Sequence, residues 1–492
     1  MSTTGTTPSV LVIGAGFGGL AIALELREAG FTEFTVLERA ADLGGVWREN
    51  TYPGAGCDIP SPLYSFSRAP NPRWPKRFSM GADIKDYLHA VVDRFRLDEH
   101  IVFGAEVTDA EFDEQRGQWV VRTGDGSLYR ADVLVPATGQ LSNPAMPDIP
   151  GLQRFAGPMF HSARWRHDCE LAGKRVGVIG TGASAIQFVP AIQPDVERLT
   201  LFQRSAAWVV PKPDVTYRGW QHWLFAHVPL SQRIERLAVW LLCEFLALGL
   251  VDVPAVRSVI HRAGTRQRNR QVADPALRAK LAPNYEPGCK RVLFSDAYYP
   301  ALARSNVDIR TESIAEITEH GVRTEDGTEH ELDAVICGTG FKASDFLEQI
   351  RISGRGGRTL ADTWDGGARA YLGMAVPGFP NMFVMYGPNT NLGVGSIVYM
   401  LESQARYIRA AVAELAKRPG RFEVRAEVEN RYDRRLQRRL GRSVWTLCSS
   451  WYRNAAGRIV GNWPGTMTAY RWRTRRFRSS DYHFTATEDG AR

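Results

Sequence analysis

Two short glycine patterns carry the first chemistry of this sequence. Gly14, Gly16 and Gly19 form a G-x-G-x-x-G, and Gly180, Gly182 and Ala185 form a G-x-G-x-x-A. In such a pattern the first glycine permits a tight turn, the second lets backbone amides approach a pyrophosphate, and the third lets a helix pack close to a strand. Glu38 stands 19 residues past Gly19, where a carboxylate can accept hydrogen bonds from ribose hydroxyls. The same distance past Ala185 leads to Arg204, whose guanidinium can instead pair with a 2′-phosphate. The first unit therefore suits the unphosphorylated ribose of FAD, and the second suits NADPH over NADH. Taken alone, either motif reads equally as a glycine-rich turn in an ordinary α/β protein.

The surrounding elements decide between these readings. Val10 to Ile13 is an apolar run that reads as a buried strand, Leu20 to Glu28 is helix-like and ends at Gly30, and Phe34 to Leu37 is a strand closing on Glu38. The second unit repeats the order, with a strand at Arg175 to Ile179, a helix, and a strand at Leu199 to Phe202 running into Gln203-Arg204-Ser205. Gly44 to Asp58 is a long glycine- and aromatic-rich loop, in which Val46 and Trp47 follow two glycines and Trp47 can cover a flat ring. On local pattern Asp58 is at least as well read as a helix or turn cap as a catalytic group.

Residues 83–95 read as helix, and 101–103, 119–121 and 133–135 as strands, the last entering Ala137-Thr138-Gly139. Pro144, Pro147 and Pro150 mark a linker. Residues 215–282 lack strand alternation and are rich in Trp, Leu and Arg, which predicts a helical insertion shaping substrate access. Lys290 and Arg291 lead into a strand and read locally as solvated charge, and Leu332 to Cys337 is a strand entering Gly338-Thr339-Gly340-Phe341. Phe383 to Met385 reads as a further strand, 396–408 as helix, and the arginines of 431–442 as the solvated face of an amphipathic helix.

At 492 residues the chain has room for two or three domains, and its 44% hydrophobic and 23% charged content is ordinary for a globular protein. A net charge of +8 raises nucleic acid or an anionic membrane as partners. With no basic block or nucleic-acid module present, a surface suited to a polyanionic cofactor is preferred. Six scattered cysteines without a C-x-x-C argue against a disulfide framework, a zinc site or a dithiol centre, and fit a reducing cytoplasm. The N-terminus lacks a basic-then-apolar signal pattern. Leu237 to Val251 is apolar but broken by Glu244 and short for a bilayer, which leaves a buried or membrane-resting helix and no transmembrane segment.

Between the two units lies Phe155-x-Gly157-x-x-x-His161-x-x-x-Trp165. Read bare, His161 and Trp165 are core residues. The pattern closely resembles the fingerprint of class B flavin monooxygenases of the Baeyer–Villiger type, and the resemblance extends through both nucleotide motifs, Gly44 to Asp58, Ala137-Thr138-Gly139, Lys290-Arg291, Gly338 to Phe341 and Ser450-Trp451-Tyr452. It implies an α/β fold of two Rossmann-like dinucleotide-binding domains with a helical insertion. The implied division is 1–145 and 336–492 for FAD, 146–214 and 283–335 for NADPH, and 215–282 for the insertion.

The resemblance also assigns roles. Arg291 falls at the active-site arginine and Asp58 at the carboxylate that positions it; Lys290, Arg204 and Ser205 fall around the 2′-phosphate. Trp47, Asp58, Tyr64 and the backbone near Val107 match FAD contacts, and Trp451 matches a tryptophan near the nicotinamide ribose. His161 and Trp165 belong to the linker. The chain departs from the family at Gly56, where many members carry arginine, and at Arg166, where the fingerprint often ends in proline or aspartate.

The implied reaction takes NADPH and O2 and inserts one oxygen beside a ketone carbonyl through a C4a-peroxyflavin, giving an ester or lactone. In it Arg291 keeps the peroxide deprotonated by its positive charge. Two alternatives stand beside this, an N- or S-oxygenating flavin monooxygenase and an NADPH-dependent flavoprotein that does not oxygenate. The particular ketone and the oligomeric state are not legible.

Overall fold

The computed structural model describes residues 7–251, 253–448, 452–454 and 456–486. Val10–Ile13 (β1) is an unbroken apolar run, buried on both faces, and pairs in parallel with Phe34–Glu38 (β2) and with Val133–Pro136 (β4). Ile101–Phe103 (β3) adds to β2, giving the order β3-β2-β1-β4. Continuous burial is what a parallel sheet covered on both sides requires. The helix Phe17–Glu28 (α1) connects β1 to β2, and Gly81–Phe95 (α2) packs against α1.

The second parallel sheet contains Met159–His161 (β5), Arg175–Ile179 (β6), Arg198–Phe202 (β7), Val307–Arg310 (β10) and Ala334–Cys337 (β11), in the order β10-β7-β6-β11-β5. The numbers β8 and β9 belong to Val209–Val210 and Leu293–Phe294, a short parallel pair beside it. β11 runs to Cys337, two residues beyond the expected division at 335/336. Ala185–Ile192 (α3) links β6 to β7. The insertion is helical, with Gly219–His227 (α4), Pro229–Val251 (α5), Pro254–Gln271 (α6) and Pro275–Lys280 (α7).

The C-terminal third returns to the first sheet. Ile397–Lys417 (α8), longer than the predicted 396–408, packs along α1, where buried Glu25 meets Arg406 at 3.2 Å and Arg409 at 3.4 Å. Ala426–Leu440 (α9) carries the arginine-rich face.

Two expectations are corrected. Phe383 to Met385 is not a ladder strand. Its amides donate to Leu134 and Pro136, but the only bridge there joins Met382 to Leu134, because the chain turns away at Tyr386, whose φ is +55°. The cysteines are also not all unpaired. Cys289 and Cys448 form a disulfide across a sequence separation of 159, a distance over which spacing carries no pairing signal. Cys57, Cys169, Cys243 and Cys337 are free.

Candidate active site

Both glycine turns are built for close approach. Gly14 has φ +105°, and a Cβ there would lie 2.9 Å from the Ala137 carbonyl oxygen, which ties the turn to Ala137-Thr138-Gly139. At Gly19 a Cβ would collide with the Gly14 carbonyl, so only glycine lets α1 sit directly on the turn. Glu38 ends β2 almost fully buried; one oxygen accepts from the Ala15 amide at 2.8 Å, and the other from the Ala40 amide at 3.0 Å and Arg48 at 2.9 Å. The carboxylate is thereby held beside the turn's amides. Gly16 and Gly45 face each other so closely that a Cβ on Gly45 would stand 3.2 Å from the Gly16 Cα.

The expected flavin-side residues gather around this turn. Val46 starts the helical turn after Gly45, Trp47 donates to the Tyr64 hydroxyl at 3.3 Å with their rings edge-to-face, and Val107 opens a strand just beyond Ala105, whose amide donates to the Glu38 carbonyl. An amide-lined turn at a helix N-terminus, a carboxylate at the strand end and a cradle closed to any Cβ together suit a dinucleotide.

The second turn repeats the geometry. Gly180 has φ +107°, with a Cβ position 2.5 Å from the Gly338 carbonyl oxygen, whereas beside Gly182 the nearest atom is 3.7 Å away. Ala185 starts α3, fully buried. At the end of β7, Arg204 is exposed, and Lys290 reaches across to donate to the Ser205 hydroxyl at 2.8 Å while lying 4.8 Å from the Tyr285 ring centroid. Burial first, and then the neighbouring Arg204, pull Lys290 below the usual lysine pKa. An anion shared by the two cations would relieve that repulsion, as a 2′-phosphate does.

Asp58 and Arg291 meet where the two units face each other. Arg291 donates from Nε to Asp58 Oδ2 at 2.8 Å and from Nη2 to Oδ1 at 2.7 Å, a two-pronged pair. The side chains are 32% and 20% exposed respectively, so the pair is partly dry and open on one side. The charge of Asp58 is the main reason Arg291 is held even above the usual arginine pKa. Both groups thus leave the roles that local pattern favours, since Asp58 caps no helix and Arg291 is not solvated charge. They line a cavity of about 190 Å³ whose other walls include Ile59, Val210, Leu246 and Val259, an almost wholly apolar surround for one fixed charge pair.

Some neighbours had no role assigned from sequence. Tyr386 and Tyr452 are close enough to Arg291 to act on it electrostatically, and burial pushes the Tyr452 phenol up to about 12, so it stays protonated. Tyr452 belongs to the Ser450-Trp451-Tyr452 stretch that the resemblance covers, where it carried no assigned role. Gln187 on α3 donates to the Gly56 carbonyl at 2.9 Å and accepts from the Tyr52 hydroxyl at 2.9 Å, which fastens the 52–56 loop of the first unit onto the second. Gly56 fits closely there, because a Cβ would stand 3.2 Å from the Ser79 carbonyl oxygen. The disulfide from Cys289, next to Lys290, ties the chain at Cys448 to the segment that leads into β9. Trp451 lies outside the described residues.

The fingerprint residues knit the linker. His161 ends β5, accepts from the Ala163 amide at 3.1 Å and packs its ring against Phe341. Trp165 packs on Phe160 and Phe188, Arg164 pairs with Glu49 at 2.6 Å, and Arg166 pairs with Asp168 at the surface.

Residues 7–355 match the family described as FMO-like, flavin-binding monooxygenase-like. A protein of Streptomyces coelicolor named Baeyer-Villiger monooxygenase is 46% identical over 96% of this chain and 92% of its own length. One of the same name from Pseudomonas aeruginosa is 43% identical over 97% and 92%. Among solved structures, an oxidized steroid monooxygenase bound to NADP superposes with a TM-score of 0.87 at 32% identity, covering 98% of this chain and 100% of that one. Cyclohexanone monooxygenase from Rhodococcus sp. Phi1 bound to NADP+ gives 0.86 at 30% identity, covering 98% and 99%. Two nucleotide turns, a cation pair at the second and a carboxylate-held arginine in an apolar cavity thus occur in a chain that belongs to the flavin-binding monooxygenase-like family.

Proposed function

We propose that the chain is a Baeyer–Villiger monooxygenase that uses FAD and NADPH to insert one atom of O2 beside a ketone carbonyl, giving an ester or lactone. The observation that carries the reading is the Asp58–Arg291 pair set in an otherwise apolar cavity. The first turn with Glu38, Val46, Trp47, Tyr64 and Val107 would hold FAD, and the second turn with Arg204, Ser205 and Lys290 would hold NADPH; Trp451 is placed near the nicotinamide by resemblance alone. Bound, these cofactors supply the hydride and the activation of dioxygen.

The protein supplies position and field. With the cofactors bound, Arg291 would set a fixed positive charge beside the oxygen of a ketone carbonyl and so stabilise the negative charge that builds up there. A fixed cation needs no reorganisation as that charge develops. Asp58 holds the guanidinium plane through two bonds, which fixes the charge at the cavity wall. The apolar walls select a carbonyl compound with little other polarity and keep water from the reacting oxygen. On the same reading the FAD unit is 1–145 with the chain beyond Cys337, and the NADPH unit is interrupted by 215–282. A cytoplasmic setting suits the need for NADPH and the four free thiols; the Cys289–Cys448 link is the feature that runs against it.

Purified FAD-loaded protein given NADPH, isotopically labelled dioxygen and a panel of ketones and sulfides tests the reading. One labelled oxygen in an ester or lactone is the expected result. Sulfoxide alone would replace it with the sulfur-oxygenating reading, and hydrogen peroxide matching NADPH with no product would replace it with a non-oxygenating flavoprotein.

A further inference from the structure

The insertion helix α5 is anchored in its first half by polar groups on the protein-facing side, and farther on by buried Cys243, Ala247 and Leu250. Arg236 donates to the Pro62 and Ser65 carbonyls at 2.6 and 3.0 Å and approaches buried Glu402 at 3.8 Å, Glu235 accepts from Arg77 at 3.1 Å and Tyr217 at 2.7 Å, and Gln232 is buried. The outward side is mostly apolar, with Leu230, Ile234, Leu237, Leu241, Phe245 and Leu248 all more than a third exposed, and half-buried Glu244 at the edge of the stripe is tied to the Thr468 amide at 3.3 Å. At 3.6 residues per turn these six fall within about 40° of one line, a stripe about 27 Å long. Trp220 and Trp223 of α4, 63% and 59% exposed, stand just ahead of its N-terminal end. An exposed apolar strip of this size marks an interaction surface.

Charge selects the partner. Residues 215–282 hold ten basic and four acidic side chains, +6 of the chain's +8. On α6, Arg262, Arg266 and Arg270 are exposed along one face with Val259, and Arg233 flanks the stripe on α5. Among the described residues no acid is exposed between 215 and 272. A two-fold contact between copies would set like charges against one another. An anionic bilayer surface instead meets all three features, taking the aliphatic stripe below the headgroups, the tryptophans at their level and the arginines against phosphate. No single described helix is long and apolar enough to cross a membrane. We infer that α4 to α6 rest the protein on an anionic phospholipid surface, with the stripe of α5 immersed at the interface.

The cavity shares this face. Leu246 of α5 and Val259 of α6 line it, and Val259 is also 50% exposed, so the wall of the cavity is continuous with the lipid-facing surface. Resting on the oxygenation reading, the substrate class is therefore a ketone apolar enough to partition into the bilayer.

The test floats the full-length FAD-loaded protein with phosphatidylcholine vesicles, with and without about 30% phosphatidylglycerol, at low and high salt. The inference expects flotation with the anionic vesicles, reduced by salt. It also expects L237S/L241S/F245S and R262E/R266E/R270E each to lose at least about tenfold in partitioning. The first variant should turn over a small water-soluble ketone as before but require a higher apparent KM for a long-chain ketone supplied in vesicles. Absence of flotation by the parent protein, undiminished flotation by either variant, or a parent dimer that the first variant converts to monomer would overturn it. Flotation is read without turnover, so failure of the oxygenation reading would show separately as absence of ester from every ketone.

Discussion

Replacing Asp58 by alanine isolates what the carboxylate does for Arg291. The change removes two charge-assisted hydrogen bonds of 2.7 and 2.8 Å and the charge that most strongly holds the guanidinium protonated. Buried bonds to charged groups contribute about 1.5–3 kcal/mol each, but these side chains are 20% and 32% exposed, and solvent screening reduces the pair to about 2–3 kcal/mol in total. Arginine remains charged without its partner, so the loss is one of aim: the guanidinium gains rotamers and spends less time facing the carbonyl. If the whole of that energy is expressed in the oxygenating step, ester formation falls about 30- to 150-fold. NADPH oxidation should continue, because nothing in the second cradle is touched, and the uncoupled turnover should emerge as hydrogen peroxide. Measuring ester and peroxide per NADPH consumed, for D58A, R291A and D58A/R291A, separates positioning from direct action. Once Arg291 is gone, Asp58 has nothing to aim, so the double variant should match R291A. A D58A enzyme with parental coupling, or a further loss in the double variant equal to that of D58A alone, would refute the argument.

Other expectations follow from individual contacts. K290A and R204A should each weaken NADPH binding about 10- to 100-fold and leave NADH nearly unchanged, since each removes one cation from the 2′-phosphate position; equal losses for both nucleotides in steady-state kinetics would contradict this. C448S should lower unfolding stability by about 2–5 kcal/mol in denaturant titration, because the link at a sequence separation of 159 restricts a long loop in the unfolded chain. Burial holds His161 and His330 below the usual histidine value of 6.5, so the unfolded chain binds more protons than the folded one as pH falls below that value. Stability should accordingly be complete above it and decline beneath it, and a melting temperature that rises between pH 7.5 and about 5.5 would exclude the two histidines as the controlling groups.

Much of this protein is determined by its sequence alone, for a local reason. A glycine required by a tight turn, an apolar run long enough for a buried strand and an acid or arginine 19 residues later are properties of a few dozen consecutive residues, so the two Rossmann-like units and the residue types at Glu38 and Arg204 were legible, while the division at 335/336 cut through β11. The tertiary structure decided everything that depends on residues far apart in the chain meeting. Asp58 lies 233 positions from Arg291, and on local pattern one reads as a cap and the other as surface charge; the resemblance named them as partners, but nothing in their own stretches did, and it is packing of the two units that brings the side chains together. Gln187 against Gly56, and Cys289 against Cys448, carry no spacing signal at all. The composition of α5 announced an apolar helix but not its orientation. That orientation was decided by the inward anchors Glu235 and Arg236, whose partners Arg77, Pro62, Ser65 and Glu402 come from distant parts of the chain and turn the leucines outward.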